Sequence, residues 1–218
     1  MRSMRADFIR RRVFWALMSG VGVLSLLACI AYVDRPVADF AHRAFGGTRL
    51  FGVAVAILTT LNAVFVAMAL FVVGCGAWRL AARRLPDWAR PLLRAALAAG
   101  VALVVTLSLK VAIGRSQPYP QYISSHIHEF RPFRCDSGHT AFPSAKMAVA
   151  SAFLAVLCLE SAGRRWFAGM VLTLIAACIA VTNGHWIADI LGGLYLGTVV
   201  GWLILRAPRP AMAPQESA

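Results

Sequence analysis

Charged side chains are scarce in this chain, and acidic ones are the scarcest. Only 14% of the 218 residues are charged, with 9 Asp and Glu against 22 Lys and Arg. Hydrophobic residues make up 60% of the sequence, and the mean hydropathy is +0.70. This composition is too apolar for a soluble domain of this size and indicates a membrane protein.

Lysine is almost missing. Only Lys110 and Lys146 are lysines, and every other basic residue is arginine. A genome that favours arginine codons explains this imbalance, and the two retained lysines then mark positions of interest. The net charge of +13 does not indicate nucleic-acid binding, because the arginines lie in short runs between long apolar stretches. Cytoplasmic loops of inner-membrane proteins have this pattern.

The 5 cysteines have no paired spacing. All except Cys135 lie within apolar runs, namely Cys29, Cys75, Cys158 and Cys178. Cysteines in such runs behave as small buried hydrophobes. The sequence therefore predicts neither a disulfide framework nor a metal site.

Long hydrophobic runs are what the sequence has in abundance. A helix needs about 20 largely apolar residues to cross the hydrocarbon core of a bilayer, so we predict an all-α integral membrane bundle of about six transmembrane helices. The predicted spans are residues 13–33, 51–78, 92–113, 146–159, 167–181 and 190–205. The last three spans are short, which a membrane-embedded site at their polar ends would explain.

Arginine placement predicts the orientation of the bundle. Arginines precede the first span and follow the second, fourth and sixth, and they include Arg10, Arg11, Arg12, Arg79, Arg164, Arg165 and Arg206. By the positive-inside rule this face is cytoplasmic, so both termini are predicted to be cytoplasmic in a bacterial inner membrane. The predicted organisation is a basic N-terminus (1–12), a six-helix domain (13–206) and a disordered tail (207–218).

The opposite, periplasmic face then receives residues 34–50, 114–145 and 182–189. The second of these loops is the longest and most polar, and it contains His126, His128 and His139. A loop this long beside compact helices is functional or disordered. Its aromatic residues and prolines favour an ordered, functional loop.

His185 and Asp189 stand four residues apart in the stretch NGHWIAD, before the sixth span. Side chains at this spacing share one face of a helix and can meet. A carboxylate on one ring nitrogen fixes the tautomer and leaves the other nitrogen free to act as a base or nucleophile. A helix-capping pair at the interface is the alternative, although Asp189 is costly at a membrane boundary without a role or partner.

Two further positions on the same face suit a phosphate group. Lys110 is the only charge in the last turns of the third span, where it either snorkels to the interface or binds phosphate. Ser144 follows Pro143 at the start of the fourth span. A serine there caps the helix, and the N–H groups of a helix start bind anions.

The order and spacing of these residues resemble the type 2 phosphatidic acid phosphatase family, six-helix membrane enzymes that remove phosphate from lipids. The family's motifs are KxxxxxxRP, PSGH and SRxxxxxHxxxD, and the likeness covers residues 110–193. In this family the third-motif histidine attacks phosphorus and forms a phosphohistidine, the aspartate orients it, and no metal or other cofactor is required. The resemblance thus implies that His185 is the nucleophile and that Asp189 orients it.

Two of the three motifs lack an arginine here. In the first motif Lys110 and Pro118 match, but Gln117 replaces the arginine, and in the third motif Ile179 stands in its place. Each lost donor to an oxyanion costs about 3–4 kcal/mol of transition-state stabilisation. Arg115, two residues before Gln117, is a candidate to compensate. The residues that the resemblance would assign to the substrate phosphate are Lys110, Arg115, Gln117 and Ser144.

The second motif, FPSAKMA, is the most altered. Ala145 replaces its glycine, and Lys146 replaces the histidine that protonates the leaving lipid oxygen in the family. Lys146 restores a positive charge, but an ordinary pKa near 10.4 makes lysine a poor acid at neutral pH. In a second register, SGHT resembles the motif of sphingomyelin-synthase-like phosphotransferases and would start the fourth helix earlier. His139 and Lys146 are therefore both candidate acids, since His139 can reach the site from the loop in either register.

The sequence thus predicts a membrane lipid-phosphate phosphatase or phosphotransferase acting through a phosphohistidine at the periplasmic face. Its catalytic residues would be His185, Asp189 and either His139 or Lys146. Candidate substrates are phosphatidate, phosphatidylglycerophosphate, an isoprenyl diphosphate and lipid A, and nothing in the sequence chooses among them. The alternative is an inactive family member that binds a lipid phosphate or serves as a membrane subunit, because each motif has lost a polar residue. A transporter is disfavoured, since no pair of broken helices stands out.

Overall fold

The computed structural model describes residues 20–82, 85–134, 136–159 and 161–206, and most of them are helical. Five helices are long and apolar enough to cross a membrane, and one more apolar helix is shorter. We label them α1 (Gly20–Phe45), α2 (Arg49–Ala82), α3 (Ala89–Ile113), α4 (Ala145–Cys158), α5 (Ala162–Val181) and α6 (Ile187–Arg206). The described residues contain no strand, only an isolated bridge between Arg115 and Phe130. The predicted all-α membrane bundle is confirmed, while the predicted N-terminal segment (1–12), the tail (207–218) and Cys135 lie outside the described residues.

The first helix extends further than predicted. We expected its span to end at residue 33 and residues 34–50 to form a polar loop, but α1 continues through a π-helical turn, Cys29–Val33, to Phe45. The expectation is wrong because a charged residue does not end a span when a partner inside the bundle neutralises it. Asp34 is only 1% exposed, and Ala38 and Ala41 are buried further along the same helix.

Helix α4 begins at Ala145, as the register centred on PSAK predicts. Ser144 is its N-cap residue, with an extended backbone (φ −69°, ψ 114°). The SGH residues form a separate 3₁₀ turn, Ser137–His139, so the alternative register, in which the helix starts earlier at SGHT, is wrong. With 14 residues, α4 is about 21 Å long at 1.5 Å per residue, which is shorter than the roughly 30 Å hydrocarbon core.

Helix α4 is the centre of the bundle and packs most extensively against α6 and α3. The contact with α3 is made by alanines, because Ala95, Ala98 and Ala102 lie buried against Ala152 and Val156 of α4. Small side chains at such contacts let helix backbones approach closely, and this van der Waals packing drives helix association in lipid. The start of α4 is therefore held firmly beside the end of α3.

A stripe of glycines joins α6 to α4. Gly193, Gly197 and Gly201 recur every fourth residue and so lie on one face of the helix. A Cβ atom at Gly201 would lie 2.6 Å from the carbonyl oxygen of Ala152, and one at Gly197 would overlap that of Ala148. The two backbones are therefore in direct contact, which fixes the start of α6 beside the start of α4.

Arginines anchor the other end of the same helices. Arg94, near the start of α3, donates hydrogen bonds to the carbonyl oxygens of Ile204 and Leu205 at the end of α6 (3.0 and 3.1 Å). The guanidinium of Arg206 lies over the ring of Trp202, 4.7 Å from its centroid. The predicted polar clusters and these arginines thus occupy opposite ends of α3 and α6.

Candidate active site

The polar loop after α3 is ordered by its own backbone. Gly114 ends α3 in the left-handed conformation (φ 59°), and a Cβ atom there would overlap the carbonyl group of Arg131. The chain then pairs with itself, because the Arg131 N–H donates to Gly114 O (2.7 Å) and the Ser116 N–H donates to Glu129 O (3.0 Å). The side chain of Arg115 between them is fully buried.

The three polar clusters come together at one end of the bundle. Lys110 at the end of α3 and Lys146 at the start of α4 both interact electrostatically with His185. The backbone N–H of Ser144 donates to the carbonyl oxygen of Asp189 (2.9 Å). The helix ends that carry the predicted motifs therefore surround one site.

His185 and Asp189 face each other across the turn that precedes α6. His185 Nδ1 lies 3.6 Å from Asp189 Oδ2, and it has no hydrogen-bond partner. The same carboxylate oxygen accepts the backbone N–H of Trp186 (3.0 Å). Asp189 is fully buried, whereas the side chain of His185 is 13% exposed. The carboxylate thus faces Nδ1, and Nε2 is the ring nitrogen left for a ligand.

Arg115 lies between two carboxylates. Its Nη1 donates to Asp189 Oδ1 (2.7 Å) and its Nη2 donates to Asp34 Oδ2 (2.5 Å), and none of the three side chains is exposed. We predicted a phosphate-binding role for Arg115, but both of its terminal nitrogens hold carboxylates here. Asp34 was absent from our sequence-based site. Its only sequence signal is an acidic side chain beside an apolar run, where such a group is costly.

His128 and Trp186 enclose the Arg115 guanidinium. His128 Nε2 lies 3.3 Å from Arg115 Nη2, and His128 Nδ1 lies 3.1 Å from Arg35 Nη2. Burial, and then the positive charge of Arg115, lower the pKa of His128 to about 4, so this ring is neutral at neutral pH. The Trp186 indole N–H donates to Ser116 O (2.7 Å), and its ring centroid lies 5.3 Å from the guanidinium carbon.

Among the predicted phosphate ligands, Ser144 has a side-chain hydroxyl that could bind a phosphate group. It is fully buried, and its Oγ makes no hydrogen bond, which is unusual for a buried polar atom. Lys110 differs, because its Nζ donates to the carbonyl oxygens of Thr140 and Ala141, the latter at 3.3 Å. The site thus has one unpaired hydroxyl and one lysine that is bound to neutral acceptors.

The two positions that lack an arginine have different environments. Gln117 Nε2 donates to the carbonyl oxygen of Ser137 (3.0 Å) and so holds the loop together. Ile179 is 1% exposed and packs in an apolar cluster with Met147 and Ile190. Gln117 keeps a polar group in the loop beside the site, whereas the side chain of Ile179 belongs to the core.

His139 is engaged on both ring nitrogens. Its Nδ1 lies 2.7 Å from Asp136 Oδ1 and its Nε2 lies 3.1 Å from Glu129 Oε1, and its side chain is 9% exposed. Hydrogen bonds with His139 are the main cause that lowers the pKa of both carboxyl groups. In this arrangement neither ring nitrogen of His139 is presented to a ligand.

A small cavity adjoins His185. Its lining includes Asp34, Val37, Ala38, Asn183 and Trp186. Asn183 adopts a left-handed backbone (φ 49°) and donates its Nδ2 to the carbonyl oxygen of Ala38 (3.1 Å), which ties α1 to the turn before α6. Within the described part of the chain, no group of three or more His, Cys, Asp or Glu could hold a metal ion.

Comparisons with known proteins give two matches. A family model described as the PAP2 superfamily matches residues 91–213, which is more than half of the chain and includes most of α3 and all of α4 to α6. The crystal structure of the first transmembrane PAP2 type phosphatidylglycerolphosphate phosphatase from Bacillus subtilis is similar, with a TM-score of 0.56 and 18% sequence identity. The match covers 84% of this chain and 92% of that chain, and at this identity it shows the fold. No curated protein matches significantly.

Proposed function

The chain belongs to the PAP2 superfamily, and we propose that it is a membrane lipid-phosphate phosphatase or phosphotransferase that works through a phosphohistidine on His185. The observation that carries the proposal is His185 facing the buried Asp189, whose backbone carbonyl oxygen accepts the N–H of Ser144, the residue with the unpaired hydroxyl. The substrate is a membrane lipid with a phosphate monoester or diphosphate, such as phosphatidate, phosphatidylglycerophosphate, an isoprenyl diphosphate or lipid A. The proposed reaction uses no metal or cofactor.

In the proposed first step, His185 attacks the phosphorus atom with Nε2. Asp189 Oδ2 faces Nδ1 and favours the tautomer that carries its proton there, which leaves the lone pair on Nε2. The P–O bond to the lipid oxygen breaks as the N–P bond forms, and the lipid oxygen leaves with the electron pair. Water then attacks the phosphohistidine and releases phosphate, or a second lipid hydroxyl accepts the phosphoryl group.

The proposed phosphate-binding groups are Ser144, Lys146 and Lys110, with Gln117 as a neutral donor beside them. The Ser144 hydroxyl has an unused hydrogen bond, and it stands at the start of α4, where the helix dipole favours an anion. A phosphate would compete with two neutral carbonyl groups for Lys110. The ammonium and the phosphate carry opposite full charges, so their mutual attraction exceeds that between the ammonium and a neutral carbonyl group, and we expect the phosphate to displace the two carbonyl groups.

The departing lipid oxygen must receive a proton from an acid. Substrates differ in how strongly their leaving group depends on this proton transfer. Both ring nitrogens of His139 already face carboxylates, so we assign the acid role to Lys146 and not to His139. Lysine is a weak acid at neutral pH. An alkoxide leaving group depends strongly on the acid, whereas a lipid phosphate leaving from a diphosphate is stable as an anion.

We therefore expect the purified protein to hydrolyse an isoprenyl diphosphate at least about 10²-fold faster than phosphatidate, since that is the smallest usual contribution of a general acid. The measurement is phosphate release in detergent, with both lipids at saturating concentration. Lys146→Gln should slow phosphatidate hydrolysis more than diphosphate hydrolysis, and His139→Ala should affect both equally. Equal rates on the two lipids would show that an efficient acid serves the leaving oxygen.

The activity should persist on the acid side of neutrality. Burial is the main cause that lowers the pKa of His185 from its ordinary value, and Lys110 and Lys146 add to it while Asp189 opposes it. The attacking ring must be neutral, so activity is lost as pH falls through the pKa of the folded protein. The midpoint of the acid limb of kcat/KM should therefore lie below about pH 6.5, and a midpoint above this value contradicts the electrostatics of the site.

One observation favours a second function, an inactive protein that binds lipid phosphate. The Nζ of Lys110 is bound to backbone carbonyl groups, and Ile179 lies in the apolar core, so two positively charged ligands of an active site are engaged or missing. The same assay separates the two functions. Wild-type protein that retains a lipid phosphate but releases no more phosphate than His185→Ala would support the binding function.

We further propose that the site faces the periplasm in a bacterial inner membrane. The support is the distribution of charge, because Arg94 and Arg206 lie at the ends of α3 and α6 that are opposite the site. Arg164 and Arg165 lie in the first turn of α5, after the end of α4 that is also remote from the site. The positive-inside rule assigns such an end to the cytoplasm.

A further inference from the structure

Asp34 of α1 belongs to the site but lies outside the residues that match the family model, 91–213. Its side chain is fully buried and makes two contacts. Oδ2 accepts from Arg115 Nη2 (2.5 Å), and Oδ1 accepts the backbone N–H of Ala188 in the first turn of α6 (2.9 Å). Asp34 therefore contacts Arg115, which binds Asp189, and also the first turn of α6, which contains Asp189.

We propose that Asp34 and Arg115 are positioning residues that hold the Asp189 carboxylate against His185 and keep it negatively charged. This inference rests on the proposed function of His185 as the nucleophile. It assigns a role in the reaction to α1, which lies outside both the sequence motifs and the residues that match the family model.

The geometry of Asp189 is the first argument. Its Oδ1 is bound by Arg115 Nη1 (2.7 Å), and its Oδ2 accepts the Trp186 N–H (3.0 Å) on the side that faces His185. With both oxygens bound, the carboxylate plane is fixed and one oxygen stays directed at Nδ1 of His185. Without Arg115, one buried oxygen would lose its partner and the carboxylate would be free to rotate.

The balance of charge is the second argument. An arginine paired with Asp189 alone would neutralise that carboxylate and weaken its effect on His185. Asp34 accepts a hydrogen bond from the second terminal nitrogen of Arg115, so with both carboxylates ionised the three buried side chains carry one net negative charge beside the histidine. Replacing a buried ion pair by apolar residues of similar volume is often neutral for stability, so stability alone is a weak explanation for these three charged side chains.

Asp189 of α6, Lys110 of α3 and Lys146 of α4 act electrostatically on His185. Asp34 of α1 lines the same small cavity as His185, and Arg115 and His128 of the loop lie behind the two carboxylates. Removing the negative charge of Asp34 leaves the positive groups less balanced, which disfavours the imidazolium form of His185. The pKa of His185 should therefore fall further in the Asp34→Asn variant.

The experiment compares Asp34→Asn with Asp39→Asn in the full chain in detergent. Asp39 lies on the same helix and accepts a hydrogen bond from the Tyr122 hydroxyl (3.2 Å), so it is a matched control. We expect Asp34→Asn to lower kcat about 10-fold or more at a nearly unchanged KM, and to shift the acid limb down by about half a pH unit. Values of kcat and of the acid limb equal to those of the control would overturn the proposal, because a merely structural residue moves neither in the folded fraction.

A second readout does not depend on turnover. The rate at which diethyl pyrocarbonate modifies His185, measured by mass spectrometry across pH, reports the pKa of that ring. A lower pKa in Asp34→Asn supports the proposal even if no lipid phosphate is hydrolysed, which separates its failure from that of the proposed function. If Asp34→Asn does not fold, Asp34→Glu serves instead, since it keeps the charge and moves the carboxylate. It should lower kcat and leave the acid limb in place, and a wild-type kcat in that variant overturns the proposal.

Discussion

Replacement of His185 by alanine should abolish phosphate release from every lipid phosphate that the wild-type protein hydrolyses. The imidazole is the attacking group in the proposed reaction, and its Nε2 is the ring nitrogen left for a ligand after Nδ1 faces Asp189. Loss of a nucleophile of this kind lowers turnover by about 10⁴-fold or more. The measurement is release of inorganic phosphate from phosphatidate and from an isoprenyl diphosphate by equal amounts of purified protein.

The matched control for this variant is His126→Ala. His126 lies in the same polar loop region, is exposed, and contacts Tyr122 edge-on with ring centroids 6.0 Å apart, so it should retain wild-type turnover. Helical circular dichroism and thermal unfolding of both variants check that the bundle is intact. Wild-type phosphate release by a folded His185→Ala protein would eliminate the phosphohistidine mechanism.

Replacement of Gly197 by alanine should have the largest effect on stability. The added Cβ atom would overlap the backbone carbonyl of Ala148 and the Ser151 hydroxyl, and neither backbone can retreat without separating α6 from α4. Overpacking of this kind costs about 1–3 kcal/mol or more. We expect the Tm in detergent to fall by about 5–10 °C and the phosphatase activity to fall with it, because the start of α6 carries Asp189.

Gly169→Ala provides the comparison for Gly197→Ala. A Cβ atom at Gly169 of α5 would meet nothing within 4 Å, and alanine favours the helix by about 1 kcal/mol over glycine. The same chemical change should therefore leave Tm unchanged or raise it at this position. If both variants unfold at the same temperature, close contact between the α4 and α6 backbones is not a main source of stability.

Much of the bundle could be predicted from sequence because bilayer thickness imposes a strong and simple pattern. The end of α3 and the start of α4 lie within one residue of the predicted positions, since Gly114 and the PSAK stretch interrupt the apolar runs there. The neighbourhood of His185 and Asp189 also followed from their spacing. These features depend on residues that are close together in the chain, where periodicity and turn chemistry carry the information.

The missing part of the site depends on residues that are far apart in the chain. The folded bundle brings together Asp34, Arg115 and Asp189. No local sequence pattern predicts ion pairs between residues so far apart in the chain. Arg115 was assigned to phosphate because a positive charge near Gln117 suits an anion, whereas in the structure its two terminal nitrogens bind two buried carboxylates. The first span was predicted to end just before Asp34, because the local sequence does not show that Arg115 neutralises this carboxylate.

The shortness of α4 determines how deep in the membrane a substrate must reach. At its far end, which we propose lies at the cytoplasmic interface, the Arg165 guanidinium donates to the carbonyl oxygen of Leu159 (2.9 Å). From there its 14 residues rise only about 21 Å, which leaves roughly 9 Å of hydrocarbon thickness above Ser144. In the proposed reaction, a lipid phosphate that reaches His185 therefore sinks below the level of its neighbouring headgroups. Entry then selects for lipids whose headgroups are small enough to follow the phosphate down.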